Sequence, residues 1–512
     1  MKKILYSAAL ISILSAGCKK SFLDINVSPN SPTEGSIAPN LILPQAMVTT
    51  ASRMGTTYGW TANWIGYWAP SGTYAPDAVE TTYNITTAFQ SGQWTGWYNN
   101  LNDLVIAERK AKAANQNFYE GMAILMQVPG WMSLVDMYNN IPYSEAFKLE
   151  QTLTPKYDDA QAIYNDLVSR ITYASDKIKN AAGEVDPILV SADVMFRGNV
   201  TMWLKFANTL KLKLAIHQSQ VPGFSPASIL STVTADGYLG AGETAAVGPV
   251  PVANSLNGNF IVSNGKLNPF WNSYKSDYAG VATNEFYRAN NYVLNMLKDN
   301  NDVRYNRYFS LSTTNGVYAG VTYGSPPDES YNAGRTSNVS GPGLAVSNIQ
   351  PQWVLTSVES MFLQAEAIAR NWIPGDAKTA YENAVKESFT YLSVPDAATQ
   401  ANVYLAQQTV SSTPHPVSNW EFVASGTTTQ KVAFIAMQKY LSLVGINNLE
   451  AWTDYRRLNV PSNIPISVNP ARISNTIPIR LLYSSTEYSY NQANVSAQGS
   501  INQFTSPIFW DR

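Results

Sequence analysis

Apolar residues recur at helical spacing over three stretches of the chain. The first covers about 97–139. There Leu101, Leu104 and Val105, with Glu108, open one amphipathic helix, and Phe118 to Met137 gives a more continuously apolar second one. Asn115-Gln116-Asn117 breaks the two. The second stretch covers 158–218, where Val200, Trp203, Leu204, Ala207, Leu210 and Leu214 share one stripe. Lys205 and Lys213 are expected to face away from that stripe, Asp193 to cap its helix, and Asp159 to sit in the first turn of the preceding one. The third stretch runs over 351–408 and 429–457. Phe362 to Arg370, then Pro374-Gly-Asp376, then Ala377 to Tyr391 reads as a helix–turn–helix, with Asp376 capping the second helix and alanines where the two would touch. Such pairs resemble tetratricopeptide repeats, but the period is irregular, which disfavours a continuous solenoid. The pattern predicts a mostly α fold of tetratricopeptide-like helix pairs separated by long loops.

Two intervening stretches carry no such period. Residues 221–282 and 305–351 are rich in Gly, Pro, Ser and Asn, as in Ala241 to Pro251 and at Pro326-Pro327. Loops of this length in a compact protein are functional or disordered. These hold aromatics, which disordered segments avoid, so ordered ligand- or partner-facing loops are expected.

The N-terminus has its own pattern. Lys2 and Lys3 precede an apolar run from Ile4 to Leu14, then Ser15-Ala16-Gly17 and Cys18. This reads as a signal peptide over 1–17, too short to span a bilayer. The cysteine after small residues resembles a bacterial lipobox, with Ser15 where an apolar residue is usual. Cys18 is the expected lipidation site, residues 18–35 a tether, and 36–512 a single body. Within that body the scaffold is expected over about 97–218 and 351–457, and the loop-rich ligand-facing parts over about 58–96 and 221–350.

Composition narrows the function. The 512 residues hold 34 Lys and Arg against 36 Asp and Glu, so there is no basic excess for nucleic acid. Charged residues are only 14%, so the surface must be largely Asn, Gln, Ser, Thr and Tyr, suited to a neutral hydroxyl-rich ligand or a close fit to another protein. One cysteine and two histidines leave no disulfide framework and little room for a metal site. No cofactor is expected. No phosphate-binding glycine loop, nucleophile elbow or zinc-protease helix is present. The adjacent acids Asp158-Asp159 and Asp328-Glu329 do not have the geometry that glycoside hydrolysis needs.

Aromatic clusters are the stronger signal. Tyr58, Trp60, Trp64, Tyr67, Trp68 and Tyr74 crowd one short segment, and Pro269 to Tyr278 is a second cluster in a Gly/Pro-rich region. Trp60 and Trp64, four apart, read as a buried helical stripe. Aromatic faces stack on sugar rings while nearby amides bond the hydroxyls. The candidate ligand contacts are therefore Trp68, Tyr74, Trp271, Asn272 and Tyr274.

Ordered blocks along the chain resemble the SusD/RagB-like nutrient-binding outer-membrane lipoproteins. They are Phe22 to Thr33, Asp136 to Phe147 with Pro155 to Asp158, Trp203 to Lys213, Leu297 to Arg304, Gln438 to Arg457 with Pro461, Ile477 to Tyr483 with Glu487 and Asn491, and Phe509 to Asp511. The chain departs at Lys213, where Arg is common, and at Ser484, where proline is usual. The resemblance implies a helical cradle for a loop-rich binding part. It implies a non-catalytic lid on the cell surface that captures an oligosaccharide and delivers it to a SusC-like TonB-dependent transporter in the outer membrane. The same architecture binding peptides is the alternative, and a glycoside hydrolase the remote one. Pro142, Trp203, Trp452, Arg456 and Arg457 in these blocks are expected to be structural. The ligand contacts lie in variable loops, to which no motif carries over.

Overall fold

The computed structural model describes residues 37–75, 77–148, 151–252, 258–408 and 418–511. The expected signal peptide, Cys18 and the tether lie outside the described residues.

Helices dominate, in the order expected. Those that position the rest are α1 (Pro39–Thr56), α2 (Gly59–Trp64), α3 (Ser91–Ala113), α4 (Asn117–Tyr138), α5 (Ala160–Asn180), α6 (Val200–His217), α7 (Pro269–Tyr274), α8 (Asn291–Asp299), α9 (Ser357–Ala369), α10 (Ala377–Tyr391), α11 (Ala397–Leu405), α12 (Thr428–Ser442) and α13 (Asn448–Leu458). Antiparallel neighbours α3/α4, α4/α5 and α9/α10 pack as pairs, α6 bridges α5 to α9, and α12 joins α9 to α13. Three two-stranded ribbons pair distant segments: β1 (Trp68–Pro70) with β5 (Tyr287–Ala289), β2 (Ile141–Pro142) with β3 (Tyr157–Asp158), and β4 (Ala245–Val247) with β6 (Gln352–Leu355). Among the described residues no helix is long and apolar enough to cross a membrane.

Local chemistry explains the ends. Asp159 caps α5 by accepting the Ala162 N–H at 2.9 Å, and Asp376 caps α10 by accepting that of Thr379 at 2.8 Å. Asp193 does not cap α6. That role falls to Asn199, which accepts the Met202 N–H, while Asp193 gathers the N–H groups of Met195, Phe196 and Gly198 and the Trp203 indole in the preceding turn. Helix α3 begins at Ser91, earlier than the apolar pattern, because Trp94 adds a buried contact among polar and glycine residues. Helix α4 is buried on every side, and Gly130 lets it approach α3, since a Cβ there would come within 2.9 Å of the Trp97 ring.

One large apolar core fills the body, with a small second cluster of Leu212, Ile216, Leu363 and Ala367 between α6 and α9, and a buried ionic network lies among them. Lys213 does not face away: its Nζ lies 2.6 Å from Glu359 and 2.8 Å from Glu450. Glu450 also takes Lys439 at 2.5 Å and His217 at 3.1 Å, and Lys439 reaches Asp454 at 3.0 Å. Arg457 joins Asp454 at 2.7 Å to Glu366 at 2.6 Å, and Glu366 takes Arg370 at 2.8 Å. Burial opposes ionisation of Glu366, yet Arg457 and Arg370 hold its pKa down at about 2. Burial also opposes charging of His217, but Glu450 and Asp136 outweigh it and raise its pKa. The blocks expected to be structural supply Lys213, Lys439, Glu450, Asp454 and Arg457 to this network. Arg456 adds bonds to the carbonyls of Asp136 at 2.7 Å and Ile479 at 2.9 Å and stacks 3.6 Å over Trp452.

Candidate functional site

Four loop segments meet beside α7. Ser71 to Tyr74 docks on the 282–289 turn, through Ser71 N–H to the Phe286 carbonyl at 2.8 Å and Ser71 Oγ to that of Glu285 at 2.8 Å. The same segment ties to 328–333. Gly72 donates to the Tyr331 carbonyl at 2.9 Å, and Thr73 Oγ1 accepts the Ala333 N–H at 2.9 Å. Gly72 is required there, because a Cβ would lie 2.0 Å from the Asp328 carbonyl oxygen. The 310–321 loop closes the assembly, with Ser310 N–H on the Asn338 carbonyl at 3.0 Å and Ala319 accepting from Ser337 at 2.8 Å. Between these loops is a hollow of about 240 Å³, lined by Asn284, Glu285, Arg288, Thr313, Thr336 and Asn338 among others.

An aromatic column runs from this surface into the core. Tyr74 is 41% exposed, and its ring lies 5.9 Å from Phe286. Phe286 meets Tyr287 at 4.9 Å, Tyr287 meets Trp68 at 5.3 Å, Trp68 meets Tyr274 at 5.1 Å, and Tyr274 meets Phe270 at 5.0 Å. The Tyr74 hydroxyl donates to Glu285 at 3.3 Å.

This geometry separates the residues singled out from the sequence. Trp68 and Tyr274 are buried in the column and offer no ring face to a ligand; β1 pairing and the Tyr274 hydroxyl bond to the Thr56 carbonyl at 2.8 Å hold them inside. Tyr74 stands at the exposed end. Trp271 and Asn272 lie on the short helix α7, where Asn268 caps by accepting the Trp271 N–H at 2.8 Å. Trp271 is half-buried, with Lys275 Nζ 3.9 Å over its ring, and Asn272 is exposed. The chain after α7 bends back so that Ser276 bridges to Ala282 at the rim of the hollow. Trp60 and Trp64 are buried on α2, 4.9 Å apart.

Sequence reasoning missed Arg288, Asn284, Glu285, Thr313, Thr336 and Asn338. The coarse signal was present, since the 305–351 loop flagged as ligand- or partner-facing supplies three of them. Asn284 and Asn338 have little left for a ligand. They bond each other at 2.9 Å, and Asn338 Nδ2 donates to the Tyr274 carbonyl at 3.1 Å. Glu285, Arg288 and Tyr74 carry the remaining polar capacity.

A larger groove of about 580 Å³ lies on α3, α4 and α5. Several of its polar groups are committed internally. Arg170 bonds Glu108 at 2.7 Å and Gln127 at 3.0 Å, and Asp158 accepts from the Tyr143 N–H at 3.1 Å and the Ser144 N–H at 2.7 Å. Among the described residues no three His, Cys, Asp or Glu side chains are placed to hold a metal ion.

Comparison with known proteins fits this architecture. A family profile described as SusD-like, starch-binding associating with outer membrane, matches residues 29–484. A chitin-binding SusD homologue from Flavobacterium johnsoniae superposes with a TM-score of 0.74 at 21% identity, covering 93% of this chain and 98% of its own. A SusD-like protein from Bacteroides thetaiotaomicron gives 0.73 at 22% identity, covering 92% and 98%. A SusD homologue from Bacteroides fragilis gives 0.70 at 20%, covering 93% and 99%. No curated protein matches the sequence significantly.

Proposed function

Because the chain belongs to the SusD-like family, we propose that it is a surface lipoprotein that captures oligosaccharides without altering them. The captured ligand passes to a SusC-like TonB-dependent transporter in the outer membrane, and lipidated Cys18 anchors the protein beside it. The observation that carries the reading is the loop-built hollow with exposed Tyr74 at its edge, an aromatic face beside hydrogen-bonding groups. Tyr74 and the 271–272 corner are the proposed outer contacts, half-buried Trp271 offering the exposed part of its ring and Asn272 its amide. Trp68 and Tyr274 act as the posts beneath. A binding role without hydrolysis is supported by the lining itself, in which Glu285 is the one carboxylate among the described residues; hydrolysis uses two, about 5–10 Å apart.

Affinity electrophoresis of the full chain through gels containing polysaccharides tests this reading, with product analysis on the same samples. Retardation without new reducing ends is the expected result. New reducing ends would make the protein a hydrolase, and capture of peptides alone would move it to peptide import.

A further inference from the structure

Arg288 lines the hollow while only 4% of the residue is exposed. Its hydrogen bond runs from Nη2 to the Asn284 carbonyl at 2.9 Å, and its Nε is buried without a partner. Among the described residues no carboxylate forms an ion pair with it. Glu285, on the same rim, is exposed and engaged by the Tyr74 hydroxyl. Burial pushes the Arg288 pKa down to about 10, and Glu285 and Tyr74 offset this only in part. Two other buried guanidinium groups are matched by carboxylates, whereas Arg480, 2% exposed, donates to the backbone carbonyls of Tyr138 and Leu481. Arg304 meets Asp302 at 2.6 Å, and Arg457 meets Glu366 and Asp454. A desolvated charge without a counter-charge is costly, and one that lines a hollow is a site for an incoming anion.

We propose that Arg288 receives the carboxylate of an acidic sugar residue. This deepens the glycan-capture reading and rests on it. The guanidinium fork matches the two oxygens of a carboxylate. Asn284 and Asn338 cannot serve as that partner, being bonded to each other. The hollow's 240 Å³ is below the roughly 300–1,000 Å³ of a site that encloses a whole ligand, so it takes one end group while the rest of the sugar chain lies across Tyr74. The low charge content of the chain points to a neutral ligand, but it counts charges over the whole surface. One buried, unmatched arginine at the site outweighs that average.

The test is isothermal titration of the full chain with three acidic oligosaccharides and their carboxyl-reduced counterparts: oligogalacturonate, oligomannuronate and sialyllactose. Short peptides with free and amidated C-termini are included. The expected result is that at least one acidic sugar binds about tenfold or more tighter than its reduced form, the size of one charge-assisted hydrogen bond. Arg288→Gln is expected to abolish that preference, and Arg288→Lys to keep only part of it. The comparison in the wild-type chain holds even if a variant folds poorly. Equal binding of acidic and reduced sugars would overturn the inference and leave glycan capture standing. An acid preference that survives Arg288→Gln in a folded variant would also overturn it. Binding of free-acid peptides with no binding of any sugar would overturn both the inference and the glycan reading, as would binding of nothing in the panel.

Discussion

The ionic network of the helical frame and Arg288 of the loop-built face differ in how a buried charge is held. In the frame, Lys213, Lys439, Arg457 and Arg370 interlock with Glu359, Glu450, Asp454 and Glu366, and His217 bridges Glu450 to Asp136. Every one of these charges has a counter-charge, so the network fixes how α6, α9, α12 and α13 meet and offers nothing to a ligand. In the loop face Arg288 is as deeply placed, yet among the described residues no carboxylate forms an ion pair with it, Glu285 acting only from the rim. A buried ion in a stable protein is normally paired. Lys211 on α6 and Arg480 are also buried without a carboxylate and rest on backbone carbonyls, so it is the lack of an ion pair together with a place in the lining of a hollow that sets Arg288 apart and supports the proposed binding face.

The sharpest way to break this contrast is to remove one frame arginine. Arg457→Met leaves Glu366 and Asp454 buried without their shared partner. It should cost about 3–5 kcal/mol of stability, measured by urea unfolding. Arg288→Gln should cost only about 1 kcal/mol, the worth of one hydrogen bond. Similar costs for the two would erase the distinction.

Acid should find the frame next. The folded pKa of Glu366 is depressed to about 2 from 4.5. Its contribution is present above pH 4.5 and lost as pH falls through that window toward 2. Unfolding curves between pH 5 and 2 should show steep loss, and Glu366→Gln, already destabilised, should show a shallower one.

At the loop face, Tyr74→Ala should weaken glycan binding by up to about tenfold, the worth of one aromatic contact, and leave the unfolding midpoint nearly unchanged. A large loss of stability with binding intact would make Tyr74 part of the frame instead.

A pH effect of the opposite sign lies at the boundary of the two regions. Glu80 is buried between Asn63, which donates to it at 2.7 Å, and Tyr323 at 3.2 Å. Burial raises its pKa to about 8, so the folded protein holds a proton there that the unfolded chain releases above 4.5. Stability from this group therefore falls as pH rises from 4.5 to 8. Glu80→Gln should flatten that part of the stability profile.

The frame was legible in the sequence because a helix repeats its apolar face. The stripes on α3 and α6, the continuously apolar α4, the caps Asp159 and Asp376, and the pair α9/α10 all follow from local spacing. Lys213 was misread for the reason that its partner Glu359 lies 146 positions away, and periodicity is blind to a polar residue buried against so distant a partner. Trp68 and Tyr274 lie deeper than their sequence surroundings suggest. Neighbouring glycines and prolines suggest exposure, but the β1–β5 ribbon carries Trp68 inward, and Tyr274, at the end of α7, bonds the Thr56 carbonyl at 2.8 Å and packs on Trp68. Arg288 left no local signal, since its meaning lies in an ion pair that does not form.

The most direct test of the account sets the two hollows against each other. Affinity electrophoresis on a retained polysaccharide would compare the wild-type chain with Tyr74→Ala at the loop face and Lys112→Ala in the groove on α3, α4 and α5. The account predicts that retardation falls with Tyr74→Ala and is unchanged with Lys112→Ala. Loss with Lys112→Ala and full retention with Tyr74→Ala would contradict it and place the ligand on the helices.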